Sequence, residues 1–495
     1  MATEHVDVLI VGAGLSGIGA ARHLQKECPH KSYAILEGRD NLGGTWDLFR
    51  YPGIRSDSDM FTLGYNFRPW EGEKAIADGD SIWQYIRNTA AENNILEHIR
   101  YNHWITDAEW SSADTCWTIT ADTPQGKQKL TCNFLMMCSG YYRYEHGYTP
   151  DFPGRENFTG TVIHPQHWPE DFDYTGKRIV VIGSGATSMT LIPSLTEKAE
   201  HVTMLQRSPT YVIAMPEKDT LADTLRKYLP RSLAYFLIRL KNVSLATLMY
   251  EVSRRQPALV RRLIRAQLRS WLGPDFDLDT HFKPSYNPWD QRLCLVPNGD
   301  LFKALRKGTA SVVTDHIETF TENGIRLQSG QELEADVIVT ATGLDVVTLG
   351  DARFTVDGEK MDPAAHYSYK GMMLNDVPNM VQVIGYTNAS WTLKADLTSE
   401  YTCRLLNYMD NNGYAVCMPH KEEEDENPGP LLDLNAGYVL RALDKLPKQG
   451  EKAPWRVYQN YLLDLVKMRF SPVTDDAMKF YRPGDINSVE HKLAS

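Results

Sequence analysis

A glycine-rich loop close to the start of the chain has the residue types and spacing to hold a dinucleotide. The apolar, β-branched run 6–11 is typical of a buried parallel strand and leads directly into GAGLSG at 12–17. In a GxGxxG pattern the first glycine allows a tight turn, the second lets backbone N–H groups approach a pyrophosphate, and the third lets helix and strand pack closely. A second strand at 33–36 ends at Glu37, whose carboxylate can accept hydrogen bonds from ribose hydroxyls. We predict that FAD binds here, through Gly12, Gly14, Ser16, Gly17 and Glu37.

The pattern recurs in the middle of the chain with a different chemical ending. The strand-like run 178–182 leads into GSGATS at 183–188, and a further strand at 201–206 ends at Arg207 and Ser208. An acid at that point would repel a 2′-phosphate, whereas a guanidinium and a hydroxyl can bind one. We therefore predict that NADPH binds at this second loop, through Gly183, Ser184, Gly185, Ala186, Thr187, Ser188, Arg207 and Ser208.

Together the two loops predict an α/β protein with two Rossmann-like dinucleotide-binding domains and hydride delivery from NADPH to flavin. A disulfide reductase of similar architecture needs a cysteine pair shortly after the first nucleotide unit. No cysteine lies between Cys28 and Cys116, which argues against that class. Molecular oxygen is left as the acceptor of electrons from the reduced flavin.

Composition argues against several other classes of function. The 495 residues include 52 Lys and Arg against 63 Asp and Glu, a formal net charge of −11, so a nucleic-acid partner is not expected. The seven cysteines are scattered without a CxxC pair, so neither a disulfide framework nor a metal site is expected. The chain has no apolar run of spanning length and no recognisable signal peptide, which predicts a cytoplasmic protein.

The segment before the second loop carries the most specific motif in the chain. Residues 158–169 read FTGTVIHPQHWP, which matches FxGxxxHxxxW followed by proline, with Phe158, Gly160, His164 and Trp168 at the fixed positions. Between 43 and 57 the chain also reads GGTW, then YPG, then an aspartate. In these motifs the chain resembles the Baeyer–Villiger monooxygenases. Related enzymes that oxidise heteroatoms usually have tyrosine or phenylalanine in place of the tryptophan.

The resemblance implies roles for individual residues. Arg292 matches the active-site arginine of the family, and Asp57 matches the acid beside it, with Asp59 as a second candidate for that acid. The fingerprint around His164 falls in a linker between nucleotide domains, which implies a hinge or domain-coupling role. Many family members have lysine directly before the arginine, where this chain has Gln291. Further cofactor contacts implied are Gly44, Thr45, Trp46, Asp57 and Ile105 for FAD, and Arg55 for NADPH.

A permanently protonated arginine suits the chemistry of this family. It can stabilise negative charge on the oxygen that is transferred and on the tetrahedral adduct with a ketone. The expected substrates are small apolar ketones, which give esters or lactones, and sulfides or thioamides, which are oxidised at sulfur. Two alternatives stay open: a monooxygenase acting mainly on sulfur or nitrogen, and an uncoupled NADPH oxidase or flavin-binding sensor. Candidates for the substrate-side wall are Met372, Tyr386 and Trp391.

The span 224–270 differs in composition from the rest of the chain. It is helical in pattern and has eleven Lys and Arg residues against the lone acid Glu251, with leucines between them. One interpretation is an insertion that makes peripheral contact with an anionic membrane, and the other is a solvated helix pair covering the substrate cleft. The predicted organisation is an FAD-binding domain in two parts (1–145 and 336–495), an NADPH-binding domain in two parts (146–215 and 285–335) and a helical insertion (216–284).

Overall fold

Two open sheets dominate the fold, and one glycine loop follows a central strand of each. The computed structural model describes residues 3–432 and 434–485. Residues 1–2, 433 and 486–495, which belong to the predicted segments 1–145 and 336–495, therefore lie outside the described residues. The α/β class with two Rossmann-like units is confirmed by this architecture.

The first sheet has nine strands and carries the first glycine loop. Its parallel centre is formed by Glu4–Val11, which pairs with Tyr33–Leu36 on one side and Gly126–Met137 on the other. Strand residues 8–10 are fully buried, as expected for a β-branched run covered on both faces. In spatial order the strands are Glu359–Met361, Arg353–Val356, Trp104–Ser111, Cys116–Thr123, Gly126–Met137, Glu4–Val11, Tyr33–Leu36 and Ile99–Arg100, with Met380–Gln382 beside Gly126–Met137.

The second sheet has five parallel strands and carries the second glycine loop. In spatial order they are Ala310–Thr314, His201–Gln206, Arg178–Ile182, Val337–Thr340 and Thr161–Ile163. From the centre outwards on one side, the chain places Arg178–Ile182, His201–Gln206 and Ala310–Thr314 in that order. It then returns and places Val337–Thr340 on the other side of Arg178–Ile182. This reversal of strand order is the switch point at which doubly wound sheets bind nucleotides.

The strand Val337–Thr340 shows that the predicted boundary between residues 335 and 336 is wrong. It pairs with Arg178–Ile182 and with Thr161–Ile163, so it belongs to the second sheet and not to the first. All four of its residues are buried, and a central position in a parallel sheet covers both faces of such a strand. The other predicted domain boundaries stay predictions.

Helices cover the sheets and form the insertion. Leu15–Glu27 and Ala186–Leu195 directly follow the two glycine loops. The insertion consists of Thr220–Tyr228, Arg231–Arg255, Pro257–Leu272 and Leu278–His281. The other α-helices are Thr45–Leu48, Met60–Leu63, Gly79–Glu92, Asp300–Lys307, Trp391–Asn412, Gly437–Leu440 and Tyr461–Asp464, the last continued by a π-helical turn at Leu465–Phe470.

Smaller elements complete the chain. The 3₁₀ turns are Leu96–His98, Arg155–Asn157, Pro165–His167, Leu349–Asp351 and Pro363–Ala365. A three-stranded antiparallel sheet comprises Ile317–Thr321, Gly324–Leu327 and Glu332–Glu334. Two-stranded pairs join Val212–Met215 to Cys294–Pro297, Ser368–Tyr369 to Met373–Leu374, Val416–Pro419 to Met478–Tyr481, and Gly429–Pro430 to Lys448–Gln449.

Many of the cations in the insertion are bound to groups within the protein. Arg239 is 7% exposed and donates to the carbonyl oxygens of Phe61 and Gly64. Others form ion pairs with nearby carboxylates, as Arg254 does with Asp290. Among the described residues, no helix is both long enough and apolar enough to cross a bilayer.

A buried ionic cluster joins the helix after the first loop to the helix Trp391–Asn412. His23, 7% exposed, lies 3.4 Å from a carboxylate oxygen of Asp396 and 3.1 Å from one of Glu27. Burial by itself would lower the pKa of His23, but its hydrogen bonds to Asp396 and Glu27 raise that pKa to about 9. Arg239 of the insertion lies 3.8 Å from Asp396, so the cluster connects three helices.

This cluster predicts a pH-dependent stability. The fold raises the pKa of His23 from its ordinary value of 6.5 to about 9, so the stabilisation by His23 is complete below pH 6.5 and is lost as the pH rises through 9. We expect His23→Gln to lower the free energy of unfolding by up to about 3 kcal/mol at pH 6 and by far less above pH 9.5. Thermal unfolding of both proteins across this range measures the gap, and a gap independent of pH would contradict the prediction.

Candidate functional site

A cleft of about 350 Å³ brings most of the predicted residues together. Both glycine loops contribute to its walls, and Arg292 and Asp57 lie between them. The predicted site residues that line it are Gly12, Gly14, Ser16, Glu37, Gly44, Thr45, Trp46, Arg55, Asp57, Ile105, Ala186, Thr187 and Arg292. In the described part of the chain the lining does not include Gly17, Gly183, Ser184, Gly185, Ser188, Arg207, Ser208 or the fingerprint residues Phe158, Gly160, His164 and Trp168.

The first glycine loop forms a cradle that side chains would fill. Gly12 has φ +102°, a conformation that favours glycine. A Cβ on Gly17 would lie 1.9 Å from the carbonyl oxygen of Gly12, and one on Gly44 would lie 3.1 Å from Cα of Gly14. Gly14 is the N-cap of the helix Leu15–Glu27, whose first N–H groups have no partner within the helix. This cradle fits the pyrophosphate of FAD.

Glu37 is held at the end of its strand by two backbone donors. One carboxylate oxygen accepts the N–H of Ala13 at 2.8 Å, and the other accepts the N–H of Arg39 at 3.0 Å. Burial raises the pKa of this carboxyl above its usual value. A carboxylate has further acceptor positions, so Glu37 can still receive the ribose hydroxyls for which the sequence proposed it. Ile105 is buried on the strand Trp104–Ser111 of the same sheet and also lines the cleft.

Ser16 and Trp391 join the first loop to the substrate-side wall. The indole N–H of Trp391 donates to the Ser16 hydroxyl at 2.7 Å, and the Trp391 ring stacks on Tyr141 with centroids 5.3 Å apart. Trp391 and Tyr386 line the cleft, as the sequence suggested. Met372 does not, because it is fully buried in the core beside the first sheet.

Arg292 and Asp57 form an ion pair inside the cleft. The guanidinium and carboxylate are 2.5 Å apart, and each side chain keeps 35% of its surface exposed. The charge of Asp57 raises the pKa of Arg292 above its already high value, so the guanidinium is protonated at any working pH. The pair therefore places a fixed positive charge, oriented by a carboxylate, in the space between the two loops.

Three tyrosines surround this pair and were not identified from the sequence. Tyr141 and Tyr142 line the cleft with their hydroxyls 3.1 Å apart, and Tyr438 also interacts with Arg292. Burial raises the pKa of all three phenols, so they stay neutral. The sequence could have indicated Tyr141 and Tyr142, because they directly follow Ser139-Gly140 at the carboxyl end of a central strand.

The structure separates the roles of Asp57 and Asp59. Asp59 caps the helix Met60–Leu63 by accepting the N–H of Thr62 at 3.0 Å, and it also accepts the amide of Asn242 at 2.7 Å. Burial raises its pKa above the usual value. Asp59 thus anchors the helical insertion, and Asp57 is the carboxylate that faces Arg292.

The second glycine loop has the same construction as the first. Gly183 has φ +128°, and a Cβ there would lie 2.3 Å from the carbonyl oxygen of Ala341. Nothing lies within 4 Å of a Cβ on Gly185, so there is open space at the N-cap of the helix Ala186–Leu195. Ser188 is fully buried, and its hydroxyl has no partner among the described residues. The open, donor-rich end fits a second pyrophosphate.

The predicted 2′-phosphate residues lie at the outer end of this loop. Arg207 and Ser208 are exposed directly after the strand His201–Gln206, and the Ser184 hydroxyl donates to the carbonyl oxygen of Ser208 at 3.2 Å. Arg55, the other residue predicted to contact NADPH, already has two partners within the protein. Its guanidinium donates to Asp300 at 2.6 Å and to the carbonyl oxygen of Met189 at 3.2 Å.

The fingerprint packs around the second sheet and reaches its central strand. Phe158 and Trp168 are buried, and a Cβ on Gly160 would lie 2.6 Å from the carbonyl oxygen of Asp336. His164 Nδ1 accepts the N–H of Gln166 at 3.2 Å, so its Nε2–H donates to the carbonyl oxygen of Gly343, also at 3.2 Å. Burial lowers the pKa of His164. Its coupling role stays a prediction, supported by this contact with the segment leaving the sheet.

Comparison with known proteins identifies a family and a fold. Residues 73–349 match the flavin-binding monooxygenase-like family, and residues 10–69 match an NAD(P)-binding Rossmann-like domain. The fold resembles that of an oxidised steroid monooxygenase bound to NADP, with TM-score 0.77 and 21% identity over 97% of this chain and all of that one. It also resembles cyclohexanone monooxygenase from Rhodococcus sp. Phi1 bound to NADP+, with TM-score 0.73 and 18% identity over the same shares.

Curated relatives are much more similar in sequence. The chain is 54% identical to the FAD-containing monooxygenase EthA of Mycobacterium tuberculosis H37Rv over 97% of its own length and 98% of that protein. It is 48% identical to the probable FAD-binding monooxygenase AlmA of Acinetobacter baylyi over 99% and 98% of the two chains. With two glycine cradles, an arginine–aspartate pair between them and relatives matched over nearly their whole length, this chain belongs to the flavin-binding monooxygenase-like family.

Proposed function

We propose that this chain is an FAD-containing, NADPH- and O₂-dependent monooxygenase of the Baeyer–Villiger type. It inserts one oxygen atom into small apolar ketones to give esters or lactones, and oxidises sulfides or thioamides at sulfur. The observation that carries the proposal is the Arg292–Asp57 pair, 2.5 Å apart, in a cleft bounded by both glycine loops. Its FAD-containing relatives and its fold support the two cofactors.

The charges in the cleft are suited to a nucleophilic oxygen transfer. Bound FAD, once reduced by NADPH, supplies the activation of O₂. Arg292 stays protonated and stabilises the negative charge that develops on the transferred oxygen and on the carbonyl oxygen of the ketone. Asp57 fixes the direction of the guanidinium without removing its charge. The neutral phenols of Tyr141 and Tyr142 add hydrogen-bonding groups but no competing anion.

The cleft must also exclude water, because a reactive oxygen species is otherwise lost as hydrogen peroxide. The stacked rings of Tyr141 and Trp391 cover one side, and the long helix Arg231–Arg255 packs behind Tyr386 through Val243. We assign the second loop, with Arg207 and Ser208, to binding NADPH on the other side. Gln291 provides no charge here, so Arg207 is expected to contribute most of the 2′-phosphate recognition.

The test is product analysis with the FAD-loaded protein, NADPH and O₂. A methyl ketone is expected to give its ester and a methyl sulfide its sulfoxide, each with about one NADPH consumed per product when turnover is coupled. Sulfoxide without any ester would favour the heteroatom monooxygenase. NADPH consumption that yields hydrogen peroxide alone would favour the uncoupled oxidase, and a yellow protein with no substrate-stimulated oxygen uptake would favour the sensor.

The helical insertion supports a further, separate proposal about partners: peripheral contact with an anionic membrane surface. Leu233, Phe236 and Leu240 are 44–61% exposed along one stripe of the helix Arg231–Arg255. Arg261 and Arg262 on the next helix are also exposed and carry positive charge. Such a surface binds anionic lipid through apolar contact and charge together.

Vesicle sedimentation tests this contact. The protein is expected to sediment with phosphatidylglycerol vesicles at low salt, less at high salt, and not with phosphatidylcholine vesicles. Replacing Leu233, Phe236 and Leu240 together by serine should abolish binding, while Leu443→Ser, an exposed leucine elsewhere, should not. Absence of binding at low salt would leave the solvated helix pair as the interpretation of this span.

A further inference from the structure

A buried ion pair lies directly behind the substrate-side wall of the cleft. Lys394 and Asp464 are 3% and 5% exposed, and the ammonium nitrogen is 2.7 Å from a carboxylate oxygen. The same oxygen accepts the hydroxyl of Tyr386 at 2.8 Å. Burying two charges costs solvation free energy that their attraction does not always recover, so a buried pair is weak evidence for stability. Its geometry instead fixes the position of Tyr386.

Tyr386 is the member of this group that lines the cleft. Its residue lies in the loop between the strand Met380–Gln382 and the helix Trp391–Asn412, and its hydroxyl is bonded to Asp464. The ring packs in a cluster with Val243 and Leu393. The side chain therefore has its polar end fixed in the protein, and its ring forms part of the wall of the cleft.

The segment that carries Asp464 also fixes the rest of this loop. The amide of Asn388 donates to the carbonyl oxygen of Gln459 at 2.8 Å, and the N–H of Thr387 donates to the Gln459 side chain at 3.1 Å. The loop then leads into Trp391, which stacks on Tyr141. One short segment, 459–464, thus holds two aromatic walls of the cleft through the loop that connects them.

We propose that Asp464 is a positioning residue for the substrate. It fixes the ring of Tyr386, while Lys394 neutralises the carboxylate, and together they set the shape of the apolar wall that a ketone or sulfide contacts. The proposal rests on the monooxygenase function proposed above. It predicts that loss of this carboxylate weakens substrate binding and lowers the amount of product formed per NADPH, without changing the KM for NADPH.

The chain contains a matched control for this cluster. Asp475 accepts the hydroxyl of Tyr369 at 2.6 Å and lies 2.9 Å from the ammonium nitrogen of Lys370. Like the first cluster it joins a lysine and a carboxylate to a tyrosine; it also includes Tyr401, whose hydroxyl is 3.1 Å from that of Tyr369, and its carboxylate is more exposed than that of Asp464. Among the described residues that line the cleft, none belongs to this second cluster.

The experiment compares Asp464→Asn with Asp475→Asn in the full, FAD-loaded protein. For Asp464→Asn we expect the KM for a methyl ketone to rise about 10-fold and the ester formed per NADPH to fall, with the KM for NADPH unchanged. A second readout needs no turnover: the ketone concentration that half-saturates the change in bound-flavin absorbance should rise by a similar factor. Asp475→Asn should leave all three quantities unchanged, and Asp464→Glu should recover part of the loss.

Tyr386→Phe keeps the ion pair and therefore tests the same idea in a protein with its buried charges paired. It should raise the ketone KM in the same direction by a smaller factor. The proposal is overturned if both asparagine variants change the ketone KM equally, or if neither Asp464→Asn nor Tyr386→Phe changes it. If the wild-type protein makes no oxygenated product, the proposed function fails, and the flavin-absorbance titration still decides the role of Asp464.

Discussion

Replacing Arg292 by alanine is expected to lower ester formation from a ketone by about 10³-fold, equivalent to about 4 kcal/mol of transition-state stabilisation. The reason is that, among the arginines lining the described cleft, Arg292 is the one paired with Asp57. Arg55 is bound to Asp300, and Arg143 is bound to Asp345 and Asp351. FAD content and the rate of flavin reduction by NADPH should stay close to those of the wild type. Steady-state product analysis, with anaerobic stopped-flow absorbance for the reduction, measures all three.

The controls for this prediction separate charge from structure. Arg292→Lys keeps a positive charge but loses the planar fork that pairs with Asp57, so intermediate activity is expected. Arg254→Ala removes another arginine that is ion-paired with an aspartate, at 2.6 Å, but outside the cleft lining, and should leave ester formation unchanged. Ester formation at the wild-type rate by Arg292→Ala would refute the proposed role of the cation.

Arg207→Ala is expected to raise the KM for NADPH about 30-fold while changing the KM for NADH less than about 2-fold. A guanidinium bound to a phosphate makes charge-assisted hydrogen bonds worth about 1.5–3 kcal/mol, and NADH lacks the phosphate that would receive them. Arg207 is exposed at the end of its strand, and Gln291 offers no second charge of the kind that lysine gives in many family members. Initial rates at varied concentrations of each nucleotide give the ratio directly.

Two further variants make this measurement specific. Ser208→Ala should raise the KM for NADPH by a smaller factor, because it removes a neutral hydroxyl. Arg326→Ala removes an exposed arginine of the three-stranded sheet that is paired with Glu332. It should change the KM for neither NADPH nor NADH. An equal rise in the KM for NADPH and the KM for NADH in Arg207→Ala would show that Arg207 does not bind the 2′-phosphate.

The two glycine loops could be predicted from the sequence because their physics is local. Gly12 and Gly183 need positive φ, Gly17 touches the preceding turn, and Glu37 ends its strand, all within one strand–helix–strand unit. Family membership likewise followed from short motifs, and the comparisons confirmed it. These features depend on residues close together in the chain.

Features that depend on distant segments were missed or left open. The choice between Asp57 and Asp59 required Asn242, which is 183 residues from Asp59 in the chain. Asp464 and Tyr386 are 78 residues apart, and no motif connects them. The boundary near 336 was wrong because a short apolar strand fits either sheet equally well by pattern, and pairing alone decides between them.

The strands of the second, inner sheet all lie between residues 161 and 340, within the stretch of chain 4–382 that forms the first, outer sheet. During synthesis the inner sheet has all its strands once residue 340 has emerged, whereas the outer sheet still needs the strands at 353–356, 359–361 and 380–382. The inner sheet can therefore fold before the outer sheet is complete. It then connects the two segments of the chain that pair to form the outer sheet. A ribosome stalled once residue 340 has left the exit tunnel would carry a completed inner sheet and an outer one with three strands missing.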